Sequence, residues 1–206
     1  MRRLVKDRRY RDAEHQAVIE GPRAIQTAID FGADLREIFH RPDQSEVAET
    51  LLKEGMTIHQ VDSDVLDQIA ESGSPQGLLA VAEVHDAEAP IISASRRVVV
   101  VDSVQDPGNV GAIVRTAAAA GFEAVIASPG TADLLSPRSI RASAGTIFSM
   151  QFARNMELDS VIGALVRAGH LVVAADSRGE IDRRSLEVQD HMTLLSGSEA
   201  EGGSED

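Results

Sequence analysis

The sequence predicts an α/β protein whose second half is built on a parallel sheet, and three observations carry that prediction. The apolar run at 98–101, VVVV, fits a central parallel strand buried on both faces. Strand-like and helical patterns alternate along most of the chain, as in βαβ units. The tight loop Asp106-Pro107-Gly108-Asn109 then leads from that strand into a helix of small residues. This is how an α/β sheet builds a site at the carboxyl end of a strand.

Residues 1–12 hold Arg2, Arg3, Lys6, Arg8, Arg9 and Arg11 against Asp7 and Asp12, a basic arm with a net charge of +4. Residues 13–85 read as parallel βαβ units, and with the arm they form a first domain, 1–85. Its first helix opens at Gly21-Pro22, runs through Ala24, Ile25, Ala28 and Ile29, and closes at Gly32. Strands are expected at 35–39, 56–61 and 77–84, and helices at 47–53 and 65–70. Residues 86–96, DAEAPIISASR, lose all periodicity and read as a linker. The second domain, 97–206, has expected strands at 98–101, 124–127, 171–175 and 193–195. Its helices are expected at 110–120, 137–144 and 158–168. The small acidic tail from Ser196 reads as disordered.

The 206 residues are 43% apolar and only 3% aromatic, so the core must rest on Val, Leu, Ile and Ala. Cysteine is absent, which excludes disulfides and thiolate chemistry. No leader and no membrane-spanning run is legible, and a soluble cytoplasmic protein is expected. The net charge of −13 argues against a generic nucleic-acid coat. A local basic site remains compatible with it, because screening limits each charge to about 10 Å of reach.

In the loop after the first central strand, Asn109 is a good N-cap, with Pro107 and Gly108 making the preceding turn. Helical side chains lean toward the N-terminus, so Arg115 is expected over Gly111, reaching back toward Gly108-Asn109. A cation and free amides would then converge on one anion. The plainer alternative is a cap, with the arginine paired to a nearby carboxylate. Ser136-Pro137 opens a second helix, on which Arg138 and Arg141 share a face that is either phosphate-directed or merely solvated. Asp102, Asp106 and Glu199 are the carboxylates expected near the site. The six histidines show no ligand spacing, and no metal site is expected.

At these residues the chain resembles the SpoU/TrmH family of RNA ribose 2′-O-methyltransferases, within the knotted SPOUT superfamily. Residues 106–116 spell D-P-G-N-x-G-x3-R-T, similar to the family's first motif. Ser136-Pro137 through Ser143-Ala144-Gly145 resembles its following helix, and residues 194–202, LLSGSEAEG, resemble its second motif. Ile19-Glu20-Gly21-Pro22-Arg23 and Ser74-Pro75-Gln76-Gly77 resemble the ends of an RNA-binding domain that often precedes the enzyme.

The resemblance implies methyl transfer from S-adenosyl-L-methionine to a ribose 2′-hydroxyl of RNA, ribosomal before transfer RNA, by a protein that forms a homodimer if its C-terminal segment is present. It implies Asn109, Arg115 and Glu199 as catalytic residues. Ala174, Ala175, Gly197, Ser198 and Gly202 would line the cofactor pocket, and Arg9, Arg11, Arg23, Arg138 and Arg141 would contact RNA. The family's third motif, a Ser-Leu-Asn loop and closing helix, should follow the second. In the family it threads the knot, covers the methionine end of the cofactor and feeds the dimer interface. The sequence stops at Asp206, and Gly203 stands where the family usually has leucine. An incomplete knot and very weak cofactor binding are therefore expected. Two rivals stand beside the enzyme: a catalytically inactive RNA-binding remnant of the family, and an unrelated α/β phosphate-ester or nucleotide enzyme.

Overall fold

A computed structural model describes residues 1–71, 75–176, 179, 185, 187 and 189–197, and every structural statement below concerns these residues. The chain begins with helices α1 (Arg2–Lys6) and α2 (Arg8–Glu14). They are followed by β1 (Gln16–Glu20), α3 (Pro22–Asp30), β2 (Asp34–His40), α4 (Ser45–Leu51), β3 (Thr57–Gln60), α5 (Ser63–Ile69) and β4 (Leu78–Glu83). Next come α6 (Ala89–Ala94), β5 (Arg97–Asp102), α7 (Pro107–Ala119), β6 (Ala124–Ala127), α8 (Pro137–Ala142), β7 (Gln151–Arg154), α9 (Leu158–Arg167), β8 (Leu171–Ala175) and β9 (Met192–Gly197).

The first sheet has the order β1-β4-β2-β3. Strand β4 runs antiparallel to both its neighbours, and only β2 and β3 pair in parallel. This corrects the expected all-parallel units. Strand β4 returns between β1 and β2, and because nearly every residue of it is buried, its apolar run reads the same in either direction. The second sheet, β7-β6-β5-β9-β8, is parallel throughout, as its continuous apolar strands predict.

Two segments differ from the sequence reading. The basic arm is α1 and α2, with Leu4 and Val5 buried among Val18, Leu66, Leu79 and Val81. Leu4 and Val5 are adjacent and set among six cations, too weak a period to announce a helix. The expected linker contains α6, whose Ile92 is buried with Val98, Val100 and Leu165 against the second sheet. Six residues are too few to display a 3.6-residue period.

One apolar cluster runs through both sheets. It joins Ile19, Ile25 and Leu78 to Val99, Val101 and Val125 by way of Leu135, Ile140 and Ile147. A tight turn at Thr146–Ser149 follows α8 and packs against α3. Gly145 makes that approach, at φ +83°, where an added Cβ would lie 2.5 Å from the Ala24 carbonyl oxygen.

A buried ion cluster ties the same parts together. Arg11 donates to Asp133 at 2.6 and 3.2 Å and to the carbonyls of Leu4 and Val5 at 2.8 and 3.1 Å. Arg154 reaches Asp133 at 3.4 Å, Asp12 at 2.7 Å and Asp86 at 2.8 Å. Burial alone would raise the Asp133 carboxyl. Hydrogen bonds and charge from Arg11, the Leu135 amide and the charge of Arg154 outweigh it and hold that carboxyl below the ordinary range.

Candidate active site and RNA-facing surface

The central strand β5 ends at Asp102, which is 5% exposed and accepts a hydrogen bond from Ser128 Oγ at 2.6 Å. Ser103 adopts a left-handed conformation, φ 55°, so that its amide donates to the same Ser128 hydroxyl at 3.1 Å. Thr131 Oγ1 donates to the Val101 carbonyl at 3.0 Å, and the Ala132 amide to the Val104 carbonyl at 2.8 Å. The loops leaving β5 and β6 are therefore stitched into one ledge before α7 begins.

The N-cap of α7 is Asp106, not Asn109 as expected. Its Oδ1 accepts the Asn109 amide at 3.0 Å, with Pro107 in the first turn. A carboxylate is as good a cap as an amide, and at this position it also meets the helix dipole. Asn109 therefore lies within the first turn, with its side chain exposed. Gly111 also has a different purpose from the one expected. A Cβ there would lie 2.5 Å from both Ala142 Cβ and the Ser139 carbonyl, so its absence lets α7 and α8 pack closely.

Arg115 is exposed on α7, with no hydrogen bond or ion pair among the described residues. It borders an open groove together with Phe31, Phe122, Glu123, Ser149 and Gln151. Glu123 and Gln151 stand at the amino ends of β6 and β7. The cofactor candidates stand at the opposite end of the sheet. Ala174 and Ala175 close β8, Ser196 pairs with Ala175, and Gly197 pairs with Asp102. Ala174 and Ala175, both small, are exposed among the described residues. Glu199, Ser198 and Gly202 lie outside the described residues, and the described residues do not test the expected incomplete knot.

The expected RNA-contacting arginines divide. Arg11 is 5% exposed and occupied by Asp133, so its expected role is corrected to fastening α2 against the second sheet. Arg9 and Arg23 are exposed. Arg138 pairs with the cap residue Asp106 at 2.9 Å, and Arg141 lies 3.8 Å from Glu20, at the end of β1. These two are about half exposed and connect the first sheet to the start of α7. Sequence reasoning missed Phe31 and the Asp133 cluster. Nothing local marks either, because each acquires its meaning from residues distant in the chain.

Among the described residues, no helix is long and apolar enough to cross a membrane. The sequence profile of the SpoU rRNA methylase family matches residues 96–206, and that of an MRM3-like substrate binding domain matches residues 1–80. The chain is 27% identical over 185 residues to RlmP of Bacillus subtilis, a 23S rRNA guanosine 2′-O-methyltransferase, covering 90% of this chain and 72% of that protein. It is 26% identical over 202 residues to the mitochondrial rRNA methyltransferase 3 of Xenopus tropicalis, covering 91% of this chain and 47% of that protein. The fold superposes on the SpoU methyltransferase AviRb of Streptomyces viridochromogenes, solved in complex with the cofactor AdoMet. The TM-score is 0.83 at 26% identity, over 98% of this chain and 80% of that one. With an all-parallel sheet, a D-P-G-N-x-G-x3-R-T helix after its central strand, and a profile match across that whole half, the chain belongs to the SpoU rRNA methylase family.

Proposed function

We propose that this chain transfers a methyl group from S-adenosylmethionine to a ribose 2′-hydroxyl of ribosomal RNA. The observation that carries the reading is α7, which starts from the central strand with a capped first turn and presents exposed Asn109 and unpaired Arg115 on its surface. The open edge at Ala174, Ala175 and Gly197 fits the cofactor, because small side chains let a flat nucleoside lie against strand ends. Bound there, the cofactor supplies an electrophilic methyl group.

The work left to the chain is to prepare a poor nucleophile. Asn109 orients the hydroxyl. Arg115, a guanidinium cation with no acceptor atom, holds a phosphate and stabilises the charge developing on the ribose oxygen, whose proton passes to solvent water as the methyl group is taken up. Glu199 completes the proposed catalytic set, with Ser198 and Gly202 beside the cofactor. Arg23, Arg138 and Arg141 lead the RNA from the first sheet toward α7, with Arg9 as an outlying contact, and such contacts weaken steeply with salt.

Arg115 opens toward the amino ends of the strands and the cofactor edge lies at their carboxyl ends. A homodimer, in which one protomer's Arg115 faces its partner's cofactor edge, reconciles the two. A cytoplasmic location is part of the same proposal.

The test is Arg115→Ala, assayed by incorporation of labelled methyl groups into ribosomal RNA. Incorporation should be lost with the fold intact, and near-normal turnover would remove Arg115 from the mechanism. A calorimetric titration separates the enzyme from an RNA-binding remnant. Micromolar or tighter cofactor binding, about −8 kcal/mol or better, sustains the enzyme and overturns the very weak binding expected from the sequence, and an absence of binding sustains the remnant.

A further inference from the structure

The groove beside Arg115 has a feature that methyl transfer does not require. Its outer wall is Phe31, from the first sheet's α3, and Phe31 is 51% exposed. The chain has only five phenylalanines, one tyrosine and no tryptophan. Two of the phenylalanines, Phe31 and Phe122, border this one groove.

Phe31 is not a loose surface residue. It caps the end of α3, its amide donates to the Thr27 carbonyl at 3.1 Å, and α3 is locked to the turn after α8 by the close approach at Gly145. The ring is therefore carried on a rigid support, facing a helix from the other half of the molecule. The groove holds about 680 Å³, within the usual range of ligand clefts of roughly 300–1,000 Å³. Its chemistry is mixed. Arg115 supplies a cation, Ser149 and Gln151 are exposed hydrogen-bonding side chains, and the one acid on its described walls, Glu123, accepts the Arg96 amide at 2.7 Å.

An exposed aromatic face, a free guanidinium and an amide side chain around one nucleotide-sized cleft are the parts that hold an unstacked base with its phosphate. We infer that Phe31 is a stacking platform for an RNA base next to the methylated ribose, with Arg115 on the adjoining phosphate and Gln151 on the base edge. This inference rests on the RNA reading above. It adds a recognition residue contributed by the first sheet and assigns single-stranded or locally melted RNA as the form bound. The first half of the molecule then selects the strand through one ring as well as through its charges.

The test exploits the absence of tryptophan. Phe31→Trp places a single tryptophan on the groove, and a short unstructured RNA oligonucleotide, labelled at one end, is titrated while its anisotropy is followed. Tryptophan emission should be quenched in step with binding. Phe31→Ala should weaken binding roughly 5- to 100-fold, and Phe31→Tyr should restore it. Phe31 is half exposed, so the alanine variant should retain its circular dichroism, and the tryptophan variant gives an answer even if it does not.

Unchanged emission while the RNA binds would overturn the proposal. So would quenching that appears on raising the protein concentration without RNA and gains nothing when RNA is added, because a second copy would then fill the space the base needs. Neither readout depends on methyl transfer. Quenching without catalysis leaves the platform standing and removes the enzymatic reading, whereas catalysis without quenching does the reverse.

Discussion

Arg11 and Arg115 use the same side chain in opposite ways, and the contrast separates the part of the molecule that holds it together from the part that acts. Arg11 lies among five other cations at the start of the sequence, where it reads as an RNA contact. In the fold its guanidinium turns inward to Asp133, a residue 122 positions away, and to two carbonyls of its own N-terminal segment. Arg115 lies among alanines and reads as easily as a helix residue that pairs with a carboxylate. In the fold it is exposed and, among the described residues, unpaired. The chain carries 33 acidic residues against 20 basic ones, so carboxylates are plentiful. What decides an arginine's role here is which carboxylate the tertiary structure delivers to it.

The largest effect should come from the buried side of that comparison. Asp133→Ala leaves Arg11 as a buried cation without its carboxylate, while Arg154 keeps Asp12 and Asp86, and should cost about 3–5 kcal/mol, measured by urea unfolding. A loss well under 1 kcal/mol would show that solvent reaches the cluster. Deleting residues 2–11 removes Arg11 with Leu4 and Val5, so it should destabilise the whole protein rather than merely trim its affinity for RNA.

The same carboxylate predicts an acid limb. Its pKa is lowered in the folded state, so its stabilisation is fully present above the unfolded value of about 3.9 and is lost as pH falls through the lower folded value. Unfolding free energy should therefore decline in acid below about pH 5. Asp133→Asn, though less stable throughout, should show a shallower decline. An identical slope in the two proteins would move the acid sensitivity to other groups.

A smaller effect is expected where α7 meets α8. Gly111→Ala places a methyl group against Ala142 and the Ser139 carbonyl and should cost about 1–3 kcal/mol by overpacking. A neutral or stabilising result, read by thermal unfolding, would mean that the helices separate easily.

Arg115→Ala should have the smallest effect on stability, within about 0.5 kcal/mol, although methyl transfer depends on this residue. A destabilisation comparable to that of Asp133→Ala would erase the contrast and make Arg115 a structural residue. Measured together, the two variants test whether fastening and chemistry are separate in this molecule.

Most of the second sheet was legible because its strands are short apolar runs, α7 and α9 are long enough to show a period, and the Ser136-Pro137 cap announces α8. β6 and β8 coincide with the expected segments, and β5, α8 and α9 lie within two residues of them. The first sheet was less legible: β1 escaped notice there, as β7 did in the second sheet, since QAVIE and QFAR are brief. The motif of α7 was readable as a string, but its cap was misplaced by three residues, because Asp106 and Asn109 are both competent caps and only backbone conformation distinguishes them.

The sequence by itself determined the α/β class, the parallel second sheet, the D-P-G-N-x-G-x3-R-T helix and the family. Each of these is written in local periodicity or in contiguous residues. Tertiary structure alone decided the antiparallel insertion of β4, the fastening of α2 through Asp133 and the meeting of Phe31 with Arg115 across one groove. Each depends on residues tens to more than a hundred positions apart in the chain, and a local pattern carries no record of which distant partner the packed core will bring to it.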